Sequence, residues 1–382
     1  MAEETHRHHH HHHHNMITTT ELPPDLILFN ILPRLPAKTA VRFKSVCKQW
    51  RSFLNTRTFY NLHHHHVTTN PHQNNHKLLL LSIPTQYNFF TIDCDAPDEG
   101  FTTLTLPFEA CDPDNMSILA SCNGMICIGM KKRSYAVDEY ADLILWNPLT
   151  SEYKTLSKTN SNRECYEKSC SCDGFTMYYT SSQDDYRLLR VTKSSNAYIY
   201  SLKSDSWRKI ESKGSNWNFY QWMPSVLLDE KVYFLNQRRT KVWIIRFDTK
   251  TEKFTKIANP SFRKQKPAFW KSWSFSVERG CIQLYLRNSN DGRIYLWRMN
   301  GDGDWSNVEM TYLPKPSLNY YLSPLHLMRN GNWIMHFGCF LYNVDTEKYV
   351  NGDEFDPLNA FGLFIDEKGK YFETLVSPNR YM

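Results

Sequence analysis

The chain has 382 residues, 41% of them hydrophobic, with a formal charge of +6 when histidine is neutral, enough to core one large or two ordinary domains. Seven bases (Arg34, Lys38, Arg42, Lys44, Lys48, Arg51, Arg57) against two acids (Glu21, Asp25) give residues 21–60 a net +5, so most of the excess is local and suits an acidic protein partner. No arginine stripe with interleaved aromatics argues for nucleic acid, and no run approaches the roughly 18 apolar residues that argue for a membrane helix.

Residues 1–20 contain the run His8–His14, an expression tag or a native tract, and are set aside from the fold. The N-terminus lacks the apolar core of a signal peptide, so the ten cysteines are expected to stay reduced in the cytoplasm or nucleus. Cys47, Cys122, Cys127, Cys281 and Cys339 lie in apolar contexts and read as small hydrophobes.

Residues 21–60 read as three helices. Leu22-Pro23-Pro24 opens the first, because proline fits a first turn whose N–H groups are unbonded. Ile27, Leu28, Ile31, Leu32 and Leu35 form its apolar stripe, Leu35-Pro36 ends it, and Val46, Cys47, Trp50, Phe53 and Leu54 form a later stripe. Forty residues make a poor core alone, so the apolar surplus implies a partner.

This segment resembles the F-box. Leu22-Pro23, Asp25, Ile27 to Leu32, Leu35-Pro36-Ala37-Lys38 and Arg42-Phe43-Lys44-Ser45-Val46-Cys47-Lys48-Gln49-Trp50 follow the family pattern. Asn30 stands where an acidic residue is usual, and Ala40 where the family prefers a larger aliphatic. The resemblance implies a Skp-type adaptor as partner and, through it, cullin and RING subunits of a ubiquitin ligase. With the apolar surplus it assigns adaptor contacts, or their immediate support, to Leu22, Pro23, Ile27, Leu35, Pro36, Val41, Val46, Cys47 and Trp50. The alternative is a small helical subdomain that caps the rest of the chain.

Residues 61–76, with His63–His66, His72 and His76, read as a polar linker. From residue 77 short alternating strands take over, and one unit recurs: an apolar strand, a polar turn, then an aromatic. The marker aromatics Phe101, Tyr153, Trp207, Phe254, Trp305 and Tyr349 lie 52, 54, 47, 51 and 44 residues apart. A β-repeat near 50 residues marks a propeller. Residues 77–376 are therefore expected to be all-β, a six-bladed β-propeller, with a β-sandwich or two smaller β domains as the alternative. In residues 224–257, strands are expected at Ser225–Leu228, Lys231–Leu235, Val242–Asp248 and Lys253–Ile257. Two C-terminal strands, Gly362–Asp366 and Tyr371–Leu375, are expected to complete the first blade near Leu78–Ser82.

The repeat also resembles the F-box-associated or kelch-like domain of plant F-box proteins. The matching residues are Ser121-Cys122-Asn123-Gly124-Met125-Ile126-Cys127, Leu145-Trp146-Asn147-Pro148-Leu149-Thr150-Ser151-Glu152-Tyr153, Tyr200 to Arg208, and Phe247 to Glu252. The diglycine of strict kelch repeats is absent. That family shares no one substrate, so the resemblance implies architecture and role without naming a target.

No Gly-x-Ser-x-Gly elbow, phosphate-cradling loop or His-Glu-x-x-His is present. Cys165, Cys170 and Cys172 are badly spaced for zinc, and Asp184-Asp185, Asp302 to Asp304 and Asp353-Glu354 read as solvated hairpin tips. No catalytic residue, metal or cofactor is expected. The expected role is that of a non-catalytic substrate receptor in a Skp–cullin–F-box ubiquitin ligase. Its links between blades, Lys158–Cys172, Ser212–Pro224, Ala258–Lys271 and Thr311–Leu322, are long and aromatic. Trp217, Trp222 and Trp270 from these links, with Arg238 and Arg239 from loops between second and third strands, are the expected anchors for an unknown target protein. Alternatives are a ligand- or carbohydrate-binding sensor, an enzyme on a propeller scaffold, and an adaptor-bound protein with no ubiquitination role.

Overall fold

The computed structural model describes residues 22–69, 76–83, 88–94, 96, 99, 102–109, 116–131, 140–157, 173–192, 196–210, 225–238, 241–258, 260, 270–278, 280–288, 294–299, 303–311, 322–327, 333–337, 340–343, 348–349 and 364–381. The chain forms two compact units, Met1–Val67 and Thr68–Met382.

In the first unit the predicted opening helix is broken into three kinds of turn. It passes from α1 (Pro24–Leu26) through a π turn (Ile27–Ile31) to a 3-10 turn (Leu32–Arg34). Pro33 has no N–H for the Phe29 carbonyl, and its ring crowds that carbonyl, so a regular α-helix cannot continue there. Leu35 is extended (φ −72°, ψ 148°), as a residue before proline prefers. Pro36 then caps α2 (Ala37–Phe43), and the Cys47 sulfur accepts the Trp50 N–H at 3.4 Å at the start of α3 (Lys48–Leu54).

A fourth helix, α4 (Arg57–Thr69), corrects the expectation of three helices and occupies much of the expected linker. Thr56 starts it, its hydroxyl accepting the Phe59 N–H at 3.2 Å and donating to the Phe53 carbonyl at 2.7 Å. Leu28, Leu32, Ala37, Ala40, Phe53, Leu54 and Phe59 are buried, and the Phe53 ring lies 5.1 Å from Phe29 and 5.7 Å from Phe59. His63 sits one helical turn beyond Phe59, buried, with Nε2 3.1 Å from the Leu35 carbonyl oxygen. Burial pushes its pKa down to about 4, outweighing that hydrogen bond.

Among the described residues the second unit holds six four-stranded antiparallel sheets. The first contains β1 (His76–Ile83), β2 (Asn88–Asp93) and β3 (Thr102–Leu104), and the second β4 (Met116–Cys122), β5 (Met125–Lys131), β6 (Tyr140–Trp146) and β7 (Tyr153–Thr155). The third contains β8 (Gly174–Thr180), β9 (Asp185–Val191), β10 (Ala197–Ser201) and β11 (Ser206–Ile210), and the fourth β12 (Val226–Leu228), β13 (Lys231–Arg238), β14 (Lys241–Asp248) and β15 (Lys253–Ile257). The fifth contains β16 (Trp270–Glu278), β17 (Cys281–Asn288), β18 (Ile294–Met299) and β19 (Trp305–Thr311). The sixth contains β20 (Leu322–Leu327), β21 (Trp333–Phe337), β22 (Phe340–Asn343) and β23 (Lys348–Tyr349), and the last strand is β24 (Phe364–Phe372).

The middle strands are apolar on both faces because each face packs on a different neighbour. Along β5, Ile126 and Ile128 face a core shared with Leu79 and Phe89 of the first sheet, whereas Met125 and Cys127 join Met177 and Leu188 of the third. Along β13, Val232 and Phe234 meet Leu189 and Ile199 of the third sheet, whereas Tyr233 and Leu235 meet Ile282 and Leu284 of the fifth. This is period-two alternation with no solvent side.

Phe101 lies outside the described residues; the other five marker aromatics occupy the ladder between third and fourth strands: Trp146 pairs with Tyr153, Tyr200 with Trp207, Phe247 with Phe254, Met299 with Trp305 and Tyr342 with Tyr349. The turns between them share a construction. Asn147 Oδ1 accepts Leu149 N–H at 2.9 Å, Ser201 Oγ accepts Ser204 N–H at 3.2 Å, and Asp248 Oδ1 accepts Lys250 N–H at 3.0 Å. Four residues after each of these, Ser151, Asp205 and Glu252 have positive φ of 58°, 50° and 54°.

The C-terminal region forms one strand rather than the expected pair. β24 lies antiparallel beside β1, with Leu78 opposite Lys370 and Leu79 opposite Gly369. Glu367-Lys368-Gly369-Lys370 reads as a turn, yet it lies inside the strand because β1 supplies its ladder partners. After Phe372 the chain crosses other sheets as a strap. Asn147 Nδ2 donates to the carbonyls of Thr374 (3.0 Å) and Val376 (2.8 Å), and the Thr374 hydroxyl donates to the Asn123 carbonyl. Gly124 is required beneath it, because a Cβ there would lie 2.3 Å from Thr374 Oγ1 and 2.9 Å from the Phe372 oxygen. Asn379 Nδ2 then reaches the Tyr153 carbonyl at 3.3 Å, and the Arg380 guanidinium reaches Asp184 Oδ1 at 2.8 Å. Tyr381 donates its hydroxyl proton to the Asp184 carbonyl.

Two acidic groups read as solvated are therefore engaged. Asp184 holds Arg380, and buried Asp185 accepts Lys203 N–H at 3.0 Å and Arg187 Nε–H at 3.1 Å. Deeper in the third sheet Arg190 and Asp173 form an almost fully buried ion pair, with Nη2 to Oδ2 2.7 Å and Nε to Oδ2 2.8 Å.

Removing one partner of that pair leaves an uncompensated buried charge, so Arg190→Leu or Asp173→Ala should each cost about 3–5 kcal/mol. Replacing both with apolar residues should cost less than either single change. Chemical denaturation of the three variants checks this, and a double variant less stable than both singles would contradict it.

His63 gives the helical unit an acid sensitivity. The unfolded chain takes up a proton below about pH 6.5, whereas the folded unit resists until about 4. The stabilisation is complete above the upper value and is lost progressively as pH falls between the two. Going from pH 7 to 5 should weaken the helical unit by about 2 kcal/mol, and His63→Leu should flatten this dependence. Hydrogen exchange of the α3 and α4 amides against pH is the measurement.

Candidate functional site

None of the nine residues expected at the adaptor surface is buried. Leu22, Pro23, Pro36, Val41, Val46 and Cys47 are exposed, and Ile27, Leu35 and Trp50 are partly so. The backbone places them at element ends and turns: Leu22 and Pro23 precede α1, Leu35 and Pro36 join the 3-10 turn to α2, and Val46 and Cys47 join α2 to α3. Trp50 stands on α3 with its ring 5.4 Å from Phe43. Cys47 is not the small core hydrophobe its context suggests, because its sulfur caps a helix in an exposed turn.

Three further exposed apolar residues escaped sequence reasoning. Together the large exposed hydrophobics of this unit are Leu22 (54%), Leu26 (41%), Phe29 (46%), Ile31 (39%), Val41 (36%) and Val46 (58%). The stripe analysis places Ile31 inward with Leu28 and Leu32, but the π turn shifts the register so that only the two leucines point in. Pro33 and Pro36, three residues apart, were the available signal. Of the seven bases that make the segment positive, Arg34, Lys38, Arg42, Lys48, Arg51 and Arg57 are exposed. The exposed residues of this unit thus combine large apolar side chains with basic ones, a composition that suits an acidic protein partner.

On the β unit the expected target anchors fall differently. Trp217, Trp222 and Arg239 lie outside the described residues. Arg238 is the last residue of β13, opposite Lys241, and not part of a loop. Trp270 is the first residue of β16, opposite Asn288, and not part of a link. Both were misplaced because strands run further than their apolar cores: ladder pairing carries polar residues at strand ends. Ser225 likewise precedes β12 rather than starting it.

Chemistry is quiet elsewhere. Among the described residues no group of three or more His, Cys, Asp or Glu could hold a metal ion. Burial pushes the Cys122 thiol up to about 12 and the Cys127 thiol further, so neither forms a thiolate nucleophile at neutral pH. Cys165, Cys170, Cys172 and Cys339 lie outside the described residues.

Comparison with known proteins places both units. Residues 20–62 match the F-box domain, and residues 73–322 match the F-box associated beta propeller domain. A putative F-box only protein of Arabidopsis thaliana is 26% identical over 235 residues, which is 60% of this chain and 56% of that one. An F-box/kelch-repeat protein of Arabidopsis thaliana is 24% identical over 377 residues, 92% of this chain and 94% of that one. Likeness to solved structures is faint: a periplasmic gluconolactonase of Pseudomonas aeruginosa aligns with a TM-score of 0.40 and 10% identity over 72% of this chain and 81% of that one. With both domains matched in order, the chain belongs to the F-box proteins that carry an F-box associated beta propeller domain.

Proposed function

We propose that this chain is the substrate receptor of a Skp–cullin–F-box ubiquitin ligase in the cytoplasm or nucleus. The helical unit docks a Skp-type adaptor, which brings the cullin and RING subunits, and the six-sheet propeller holds the target. The observation that carries this reading is the set of six large apolar side chains left exposed on a unit of four short helices. An isolated domain rarely leaves so much apolar surface contiguous with its own core unless a partner covers it. The chain itself carries out no covalent step. Its contribution is proximity, holding a target where a charged conjugating enzyme can reach it.

Leu26 anchors the adaptor alongside the nine residues named from the sequence, Val41 and Val46 among them. Exposed positions test this without disturbing the core. Leu26→Asp and Val46→Asp should each abolish co-purification of a Skp-type adaptor while the circular dichroism and melting of the chain stay unchanged. Leu35→Ala with Pro36→Ala should do the same. Undiminished adaptor capture by the folded Val46→Asp variant would overturn the assignment.

The target docks on the face that carries the links between sheets, with Trp217, Trp222, Arg238, Arg239 and Trp270 among its anchors. Loss of one anchoring Trp or Arg costs about 2 kcal/mol, or roughly thirtyfold in affinity. Trp222→Ala and Arg239→Ala, each checked for folding, should therefore reduce target capture from a proteasome-inhibited extract while adaptor capture stays normal. Normal target capture by both would place the docking face elsewhere.

A further inference from the structure

We propose that residues 373–381 are a latch on the β unit, and that the seam between β1 and β24 opens only after this latch has peeled away, the ties at Arg380 and Tyr381 first. β24 joins the first sheet from far downstream in the sequence, and among the described residues its ladder is with β1. A ladder at the edge of a sheet frays from its ends. Here the end after Phe372 is pinned. Beyond Phe372 the chain is tied in turn to three sheets.

The nearest tie is to the first and second sheets. Lys77 Nζ of β1 pairs with the Glu373 carboxylate at 3.3 Å. The Asn123-Gly124 turn and Asn147 then hold Thr374 and Val376, whose side chains are buried together with Leu375. The middle tie is Asn379 on the Tyr153 carbonyl. The outermost tie is to the third sheet: Arg380 on the Asp184 carboxylate, its guanidinium 6.0 Å from the Tyr179 ring centre, and the Tyr381 hydroxyl on the Asp184 carbonyl.

These ties are unequal, and the inequality sets an order. Arg380 and Tyr381 are less deeply buried than Asn147 and lie furthest from β24, so they release first. Asn147 is buried, with both amide protons given to the latch and its oxygen given to its own turn, so it releases last. A buried amide stripped of its partners leaves unpaired polar groups. The seam therefore stays shut while Asn147 is occupied, and loosening Asp184 is the first step toward opening it. The device is a single displaceable strap nine residues long, and whatever engages residues 379–381 or the Asp184 turn acts on ring closure.

Hydrogen exchange on the full chain reads this directly. Arg380→Ala should speed exchange of residues 374–381 and, by roughly fivefold, of β1 and β24, while β14 is unchanged. Asn147→Ala should have a larger effect on the same strands. A chain ending at Phe372 should show the largest, and a synthetic peptide of residues 373–382 added in excess should slow its β1 and β24 amides again. Wild-type protection of β1 and β24 in Arg380→Ala and Asn147→Ala would overturn the latch. So would an equal rise in β14, which would mean global loosening rather than opening at one seam.

Discussion

A sheet that is apolar on both faces cannot end a stack, and that constraint governs the β unit. Ile126 and Ile128 need one neighbour, and Met125 and Cys127 need another. Each neighbour repeats the demand, since Val232 and Phe234 look one way while Tyr233 and Leu235 look the other. A linear stack would leave two bare faces, whereas a ring leaves none. Closing the ring then brings the first and last described strands of the β unit into one sheet, which is what β1 and β24 form. The motif residues Asn123-Gly124 and Asn147 are explained by the same need, because they receive the segment that follows β24.

Between neighbouring sheets the apolar contacts are joined by acidic turn residues. Asp205, in the turn after β10, is engaged by Tyr200 of its own sheet and by Lys154 and Ser157 of the second. Glu252, in the turn after β14, is engaged by Arg187 and Arg208 of the third sheet. Hydrogen bonds from Ser157, Tyr200 and Lys154 hold the Asp205 carboxyl below its usual range, against the opposing effect of partial burial. Pairs this close to water contribute little stability one by one. Their value is positional, since each fixes the rim of one sheet against the next and so limits how far the sheets can slide. The repeated turn, with a capping side chain and a left-handed residue four places on, is what aims these carboxylates across the boundary.

Much of this was visible in the sequence because it is local. The strands at residues 226–257 fall within a few residues of their expected places, since β-branched runs broken by Asp-Glu and Asp-Thr-Lys-Thr-Glu leave few options. The marker aromatics were found by spacing before their cross-strand partners were known. What failed depended on distant chain. Glu367 to Lys370 form strand only because β1 lies beside them, and Asp185 is buried only because the turn at Lys203 folds over it. In the helical unit the failure was one of register, where Pro33 converts a smooth stripe into a π turn and moves Ile31 to the surface. His63 was masked by its company: four consecutive histidines read as polar linker, yet one faces inward because it follows Phe59 by one helical turn.

Among the described residues the helical unit has a small core, seven apolar side chains besides Pro33 and one neutral imidazole, and its six large exposed apolar residues outnumber the five large ones within. Any partner that covers Leu22, Leu26, Phe29, Ile31, Val41 and Val46 while ignoring the unfolded chain stabilises the unit by mass action, by about 2.7 kcal/mol when present at a hundred times its dissociation constant. That is comparable to what the core of so small a unit contributes unaided. Folding and docking of this unit are therefore coupled through the same surface. Ala40 sharpens the point: it is fully buried, so the larger aliphatic that the family prefers there would need room in a core that already holds the fully buried Leu32 and Leu54. A lean core of this kind makes the folded unit depend on whatever covers its exposed apolar side chains.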